Sequence, residues 1–323
     1  MQEDLKKQIF MIVDGSAIVH RAYHAMPSLT TPAGIPTGAV HGFFSMLLRL
    51  FDELHPAHIA VAFDRPKPTF RQILYKEYQS QRPTTASDLS PQFGIIIEIL
   101  KEAGVMTYAE DGFEADDIIG TLAHAAEKVG EISYIVTGDR DMMQLVDKRT
   151  KVLMPVKGIT EMKLYDEERV KEQFGVPPEN IVELKALQGD ASDNYPGVAG
   201  VGPKTAAGLI DTYKTVENMY AHIDDIKKDN PKLSERLASG KESAIMCHQL
   251  ATILQNVPFA YDFKDCDVKN ISYEKWRKSF EKYEFKSLPK RLDEVFKKGT
   301  GDRGKSTENS GKKKDPMNQM KLL

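Results

Sequence analysis

Three short apolar runs, each ending in an aspartate, constrain this chain more than any other feature of its sequence. Ile9 to Val13 is continuously apolar and stops at Asp14-Gly15-Ser16, Ile59 to Phe63 stops at Asp64, and Ile132 to Val136 runs into Thr137-Gly138-Asp139. Unbroken apolar runs of this length suit strands buried on both faces, as parallel sheets require. Helical patterns lie between them, over Gly42 to Leu54, Phe93 to Ala103 and Ile118 to Val129. Strands alternating with helices predict an α/β fold on a mostly parallel, doubly wound sheet. Ligands of such sheets sit beyond the carboxyl ends of the strands, and here that edge carries Asp.

Beyond about residue 180 the strand signal fades and helical patterns take over, interrupted at Gly197 to Pro203 and at Asn230-Pro231. The expected organisation is an α/β unit over 1–180, a helical region over 181–298, and a polar tail over 299–323 too poor in apolar residues to order itself. No run approaches the ~18 apolar residues of a membrane span, and the acidic start MQEDLKKQ does not resemble a secretory signal, so a cytoplasmic protein with no membrane partner is expected. Cys247 and Cys266 have no neighbouring Cys or closely spaced His, which excludes a zinc knuckle and a disulfide framework. The net charge of −3 is unevenly spread: from Lys297 onward eight basic residues face three acidic ones, giving +5 and leaving −8 on the rest. Arg65 to Arg82 runs against that trend, with five cations (Arg65, Lys67, Arg71, Lys76, Arg82) and one acid, Glu77.

The acids are the informative part. Glu114-Ala115-Asp116-Asp117 opens a helix, Asp139-Arg140-Asp141 follows a strand, and Asp190-Ala191-Ser192-Asp193 supplies a third group. Each alone reads as capping or turn chemistry, since acids favour helix amino termini and Asp bonds nearby N–H groups. Taken with Asp14 and Asp64 they make nine, most of them where an α/β sheet places its site. Hard oxygen donors in this number suit Mg²⁺ or Mn²⁺, and two such ions clamp the attacking and leaving oxygens of a phosphodiester displacement. A second element would hold the substrate: Gly197, Gly200 and Gly202 precede Lys204 and Thr205 in a glycine-rich turn entering a helix, where backbone N–H groups can approach a phosphate. The spacing is not that of a P-loop.

Six ordered motifs (VDGSAIVHRAYHA, AFDRPKPTFRQILYKEYQSQRP, EADDIIGTLA, VTGDRDMMQLV, ALQGDASDNYPGVAGVGPKTA and LATILQNVP) resemble the 5′ nuclease domain at the amino end of bacterial DNA polymerase I and the related flap endonucleases. The resemblance covers roughly Ile9 to Pro258. It implies a PIN-like fold with a helix-three-turn-helix DNA module, and cleavage of 5′ flaps or 5′ nucleotides near a junction. It further implies one metal cluster at Asp14, Asp64, Glu114 and Asp116, a second at Asp139, Asp141, Asp190 and Asp193, and Asp117 close to both. A K⁺ ion at the glycine turn is part of the same expectation.

By the same resemblance, 69–90 is the helical arch through which the 5′ strand passes, with Tyr75 or Tyr78 stacking a base and Arg71, Lys76 and Arg82 as candidate catalytic cations near the phosphate. Relatives usually carry Lys where this chain has Gln79, Lys for Arg140, Glu for Pro203 and Ile for Tyr195. The expected activity is a two-metal 5′-3′ exonuclease and flap endonuclease leaving a 5′ phosphate and a 3′ hydroxyl. The alternatives are a branched-DNA binding module with weak cleavage, motivated by Gln79, and an RNA-directed PIN-type nuclease. The polar ending with no polymerase region favours a stand-alone nuclease. Gln319, Leu322 and Leu323 resemble the short peptide by which bacterial repair enzymes dock on the sliding clamp.

Overall fold

The computed structural model describes residues 8–158 and 161–301. Six strands, β1 (Ile9–Asp14), β2 (His58–Ala62), β3 (Met106–Tyr108), β4 (Ile132–Val136), β5 (Thr150–Lys157) and β6 (Glu161–Tyr165), form one sheet in the order β3-β2-β1-β4-β5-β6. All neighbouring pairs are parallel except β5 with β6 at the edge. The order runs outward from β1 in both directions, so a crevice opens at the carboxyl ends of β1 and its neighbours. The three runs read from the sequence fall on β1, β2 and β4, the strands at the middle of the sheet.

The first eight helices are α1 (Gly15–Ala25), α2 (Gly38–Leu54), α3 (Phe70–Leu74), α4 (Ser90–Ala103), α5 (Ala115–Lys128), α6 (Glu167–Phe174), α7 (Ile181–Gln188) and α8 (Pro203–Tyr213). Six more follow: α9 (Val216–Ala221), α10 (Ile223–Asp229), α11 (Pro231–Ser239), α12 (Lys241–Ala251), α13 (Tyr273–Lys282) and α14 (Leu288–Gly301). One sheet face packs Phe10, Ile12 and Ile135 against α5 and continues without a break into Leu184, Leu187, Ile210 and Leu237 of the helical region. The other face packs Met11, Val13 and Val61 against α1, α2 and α4.

The helical region does not stay on one side. Trp276 and Phe280 of α13 and Leu288 and Leu292 of α14 are fully buried on the α2–α4 side, where Trp276 meets Phe44 and Phe51 edge-on. An amphipathic helix buries its apolar stripe wherever a complementary face is free, so residues 273–296 complete the core of the α/β unit although they follow the helical region in sequence. The last helix carries on to Gly301, past the expected start of the tail; the remainder of that tail, with Gln319, Leu322 and Leu323, lies outside the described residues.

Candidate active site

β1 delivers Asp14 to the sheet edge, where its Oδ1 caps α1 by accepting from the Ala17 N–H at 2.9 Å and its Oδ2 accepts from Thr137 Oγ1 at 2.6 Å. Asp64, two residues past β2, accepts from the Ala115 N–H at 2.9 Å, so the start of α5 points at it. Glu114 and Asp117 form the capping box of α5, and Asp116 sits in its first turn. Past β4, the Asp139 N–H donates to Thr137 Oγ1 at 2.9 Å and Asp139 Oδ1 accepts from the Asp141 N–H at 2.8 Å. Thr137 therefore fixes two of the acids at once, a role its sequence position did not disclose.

Burial governs the electrostatics. It pushes the Asp14 carboxyl up to about 7 against the pull of the Thr137 and Ala17 hydrogen bonds, with Asp64 and Asp139 adding to the rise. Burial also takes Glu114 to about 7, opposed by Arg71. Asp116 is raised well above its ordinary value, first by burial and then by the charges of Asp139, Asp14, Glu114 and Asp64. Among the described residues no three His, Cys, Asp or Glu side chains close around a single point. The donor chemistry of these acids fits a hard cation that would draw them together.

The other acids are already paired. Lys185, on the buried side of α7, bonds Asp141 and reaches Asp190 Oδ2 at 2.5 Å. Burial works against its ammonium, but Asp141 and Asp190 more than offset that and hold its pKa up. Burial would also raise Asp190, yet Lys185 and the hydrogen bonds of Ser192 together outweigh it and keep the carboxyl low. Asp193 accepts from Arg82 Nη2 at 2.6 Å and from Gln79 Nε2 at 3.1 Å. Lys185 went unnoticed in the sequence; its signal was a lone lysine in the apolar run Ile181 to Leu187, five residues before Asp190.

The arch is bound to these acids rather than free of them. Tyr78 is buried, its ring stacked on Tyr195 at 6.4 Å, and its hydroxyl lies 3.2 Å from Glu114 Oε2 and 3.3 Å from Asp193 Oδ2. That placement corrects the expectation of Tyr78 as a base-stacking residue, because its ring is buried against Tyr195; Tyr75 beside it is half-buried. Arg71 points inward and is buried, which corrects its expected place next to a phosphate. Lys76 is exposed and Arg82 is half-exposed at the mouth.

Two family models match in succession: "5'-3' exonuclease, N-terminal resolvase-like domain" over residues 9–175 and "5'-3' exonuclease, C-terminal SAM fold" over residues 176–274. The chain belongs to the 5′-3′ exonuclease family. Among its relatives are DNA polymerase I of Bacillus caldotenax, 40% identical over 90% of this chain, and that of Bacillus subtilis, 38% identical over 90%. The chain spans about a third (33%) of the length of these curated relatives. In fold it is similar to the T5 D15 protein co-crystallised with metal ions (TM-score 0.61, 19% identity, 90% of this chain and 99% of that one). It is also similar to the catalytic core of Rad2 in complex with DNA substrate (TM-score 0.57, 17% identity, 90% and 91%).

In this member of the exonuclease family the glycine turn is built by close approach. A Cβ on Gly197 (φ +65°) would lie 2.2 Å from the Gly189 nitrogen, so no other residue fits there. Its carbonyl accepts from Ser243 Oγ at 2.5 Å and its N–H points to Cys247 Sγ at 3.3 Å, both on α12. Gly200 (φ +77°) turns the chain again, and Gly202, Lys204 and Thr205 stand exposed at the amino end of α8. No helix among the described residues is long and apolar enough to cross a membrane.

Proposed function

We propose that this chain hydrolyses DNA phosphodiesters as a divalent-metal-dependent 5′-3′ exonuclease and flap endonuclease in replication and repair, leaving a 5′ phosphate and a 3′ hydroxyl. The observation that carries the reading is the group of Asp14, Asp64, Glu114, Asp116 and Asp139 gathered at one sheet edge, with burial and mutual repulsion raising Asp14, Glu114 and Asp116. A site that gathers five carboxylates with Arg71 as their one buried cation costs stability unless it binds positive charge. Bound Mg²⁺ or Mn²⁺ supplies a polarised phosphodiester and an activated water.

Asp14, Asp64, Glu114 and Asp116 would hold one ion, and Asp139, Asp141, Asp190 and Asp193 the other. Lys76 and Arg82 draw the 5′ strand to the mouth, Tyr75 offers a ring edge to a base, and Gln79 presents an amide where relatives place a charge. The exposed amino end of α8, with Gly202, Lys204 and Thr205 behind the turn of Gly197 and Gly200, binds duplex phosphate through free N–H groups, with K⁺ as an accessory ion. Gln319, Leu322 and Leu323 serve as the sliding-clamp peptide in this reading.

The test incubates the protein with a 5′-labelled DNA flap, a nicked duplex, a single strand and an RNA flap of equal sequence, each with Mg²⁺ and with chelator. Metal-dependent release of short 5′-labelled products from the DNA flap is expected, lost in Asp14→Ala by more than the ~10–100-fold that attends removal of a group behind a ligand. Undiminished cleavage in excess chelator would overturn the reading.

A further inference from the structure

Arg71 leaves the arch helix α3 and turns away from the mouth. Its guanidinium is 2% exposed. Nε donates to Leu250 O at 2.8 Å, Nη1 to Asp117 Oδ2 at 2.8 Å and Glu114 Oε2 at 3.2 Å, and Nη2 to Asp117 Oδ1 at 2.8 Å and Thr252 O at 2.6 Å. A guanidinium has five N–H donors, all of them used here, so none is left for a phosphate oxygen. Asp117 is 0% exposed and as fully committed. Its Oδ1 also accepts from the Leu254 N–H at 2.9 Å and its Oδ2 from the Glu114 N–H at 3.1 Å. Two hydrogen bonds on each oxygen occupy the directions a metal ion would need.

We propose that Arg71 and Asp117 form a buried, metal-free hub that ties the arch to the metal ligand Glu114 and to the segment leaving α12, with Arg71 a positioning residue and Asp117 its counter-ion rather than a ligand. This rests on the reading of the acid group as a divalent-metal centre. Besides its part in the α5 capping box, the Glu114 carboxylate accepts from the arch at both oxygens, from Thr69 Oγ1 at Oε1 (3.2 Å) and from Arg71 and Tyr78 at Oε2 (both 3.2 Å). A shift of the arch therefore moves that carboxylate or breaks its bonds. The carbonyls of Leu250 and Thr252 close the circuit, because α12 also carries the Ser243 and Cys247 that brace the glycine turn. The two elements proposed to grip DNA thus meet at one ion pair beside one metal ligand.

Wild-type crystals soaked in Mn²⁺ and measured at the manganese edge test this without any variant. Anomalous density is expected at Asp14, Glu114 or Asp116 oxygens and none at the ~2.0–2.2 Å of a hard cation from either Asp117 oxygen. An ion on Asp117 overturns the hub alone, whereas no ion anywhere in the group overturns the metal-centre reading and the hub with it. In solution, Asp117→Asn should bind as many Mn²⁺ by paramagnetic resonance as wild type, and Asp116→Asn fewer; a lost Mn²⁺ in Asp117→Asn refutes the assignment. A hub broken twice is no worse than one broken once, so Arg71→Met/Asp117→Asn should cleave a flap, with enzyme in excess, within about 2-fold of the slower single variant. Multiplying losses would show Asp117 acting on its own. Arg71→Lys restores charge without the fork and should rescue Arg71→Met little.

Discussion

The two sides of the acidic mouth hold their carboxylates by different means. On the side of β1, β2 and α5, Asp14, Asp64 and Asp139 are positioned by backbone N–H groups and Thr137, and the one buried cation, Arg71, reaches Glu114 from behind. On the side of α7 and the loop after it, Lys185 joins Asp141 to Asp190, and Arg82 meets Asp193. On the first side burial raises Asp14, Glu114 and Asp116 with Arg71 as the opposing cation, an imbalance that a divalent ion relieves. The second sets two protein cations, Lys185 and Arg82, against three carboxylates, and burial still raises Asp141 and Asp193, so an ion there competes with a protein cation. The sides should therefore differ in metal affinity and in what each contributes to stability without metal.

The largest expected effect is at the side paired by Lys185. Lys185→Met leaves two enclosed carboxylates without their partner, a change that costs ~3–5 kcal/mol when a buried pair is broken. Urea unfolding in chelator should show a loss of that order, partly reversed by Mg²⁺, which binds the folded form at the vacated acids. A variant as stable as wild type in chelator would erase the distinction between the two sides.

The metal-seeking side makes a prediction in pH. Asp14 and Glu114 sit near 7 in the folded protein, above the ordinary 3.8 and 4.5 of the free side chains, because burial disfavours their charge. Between those limits the folded state holds protons that the unfolded chain has released, so their contribution is full below pH 4 and is lost as pH rises through about 7. In chelator, unfolding free energy should fall from pH 5 to pH 8 by at least ~1.4 kcal/mol, the worth of one pKa unit. Saturating Mg²⁺ should remove the fall. A flat profile in chelator would mean that burial does not hold these acids protonated.

The contrast also explains what could be read from the chain directly. β1, β2 and β4 announce themselves because a strand buried on both faces must be continuously apolar, and their terminal aspartates then follow from where such sheets end. β3 has three residues and β6 is an edge with polar positions, so neither carries that signal. The acids were legible as a set, but their partners were not. Arg71 lies among exposed cations in sequence and only its inward turn separates it from Lys76 and Arg82. Lys185 lies in an apolar helix and is linked to Asp141 across 44 positions. Trp276 and Phe280 showed a helix but not which face of the sheet it would cover.

The smallest effect separates two stacked tyrosines, one serving both sides and one serving neither. The Tyr78 hydroxyl reaches Glu114 on one side and Asp193 on the other, while the Tyr195 hydroxyl, buried in the same stack, has no hydrogen-bond partner among the described residues. A hydrogen bond to a charged group contributes ~1.5–3 kcal/mol, and a buried hydroxyl left unpaired costs ~1–3 kcal/mol. Removing each oxygen while keeping the ring should thus have opposite signs. Tyr78→Phe should lower unfolding free energy in chelator, and Tyr195→Phe should raise it by roughly 1 kcal/mol, the low end of that penalty since the ring relaxes little. The same sign for both would show that the stack, and not the hydroxyls, joins the two sides of the mouth.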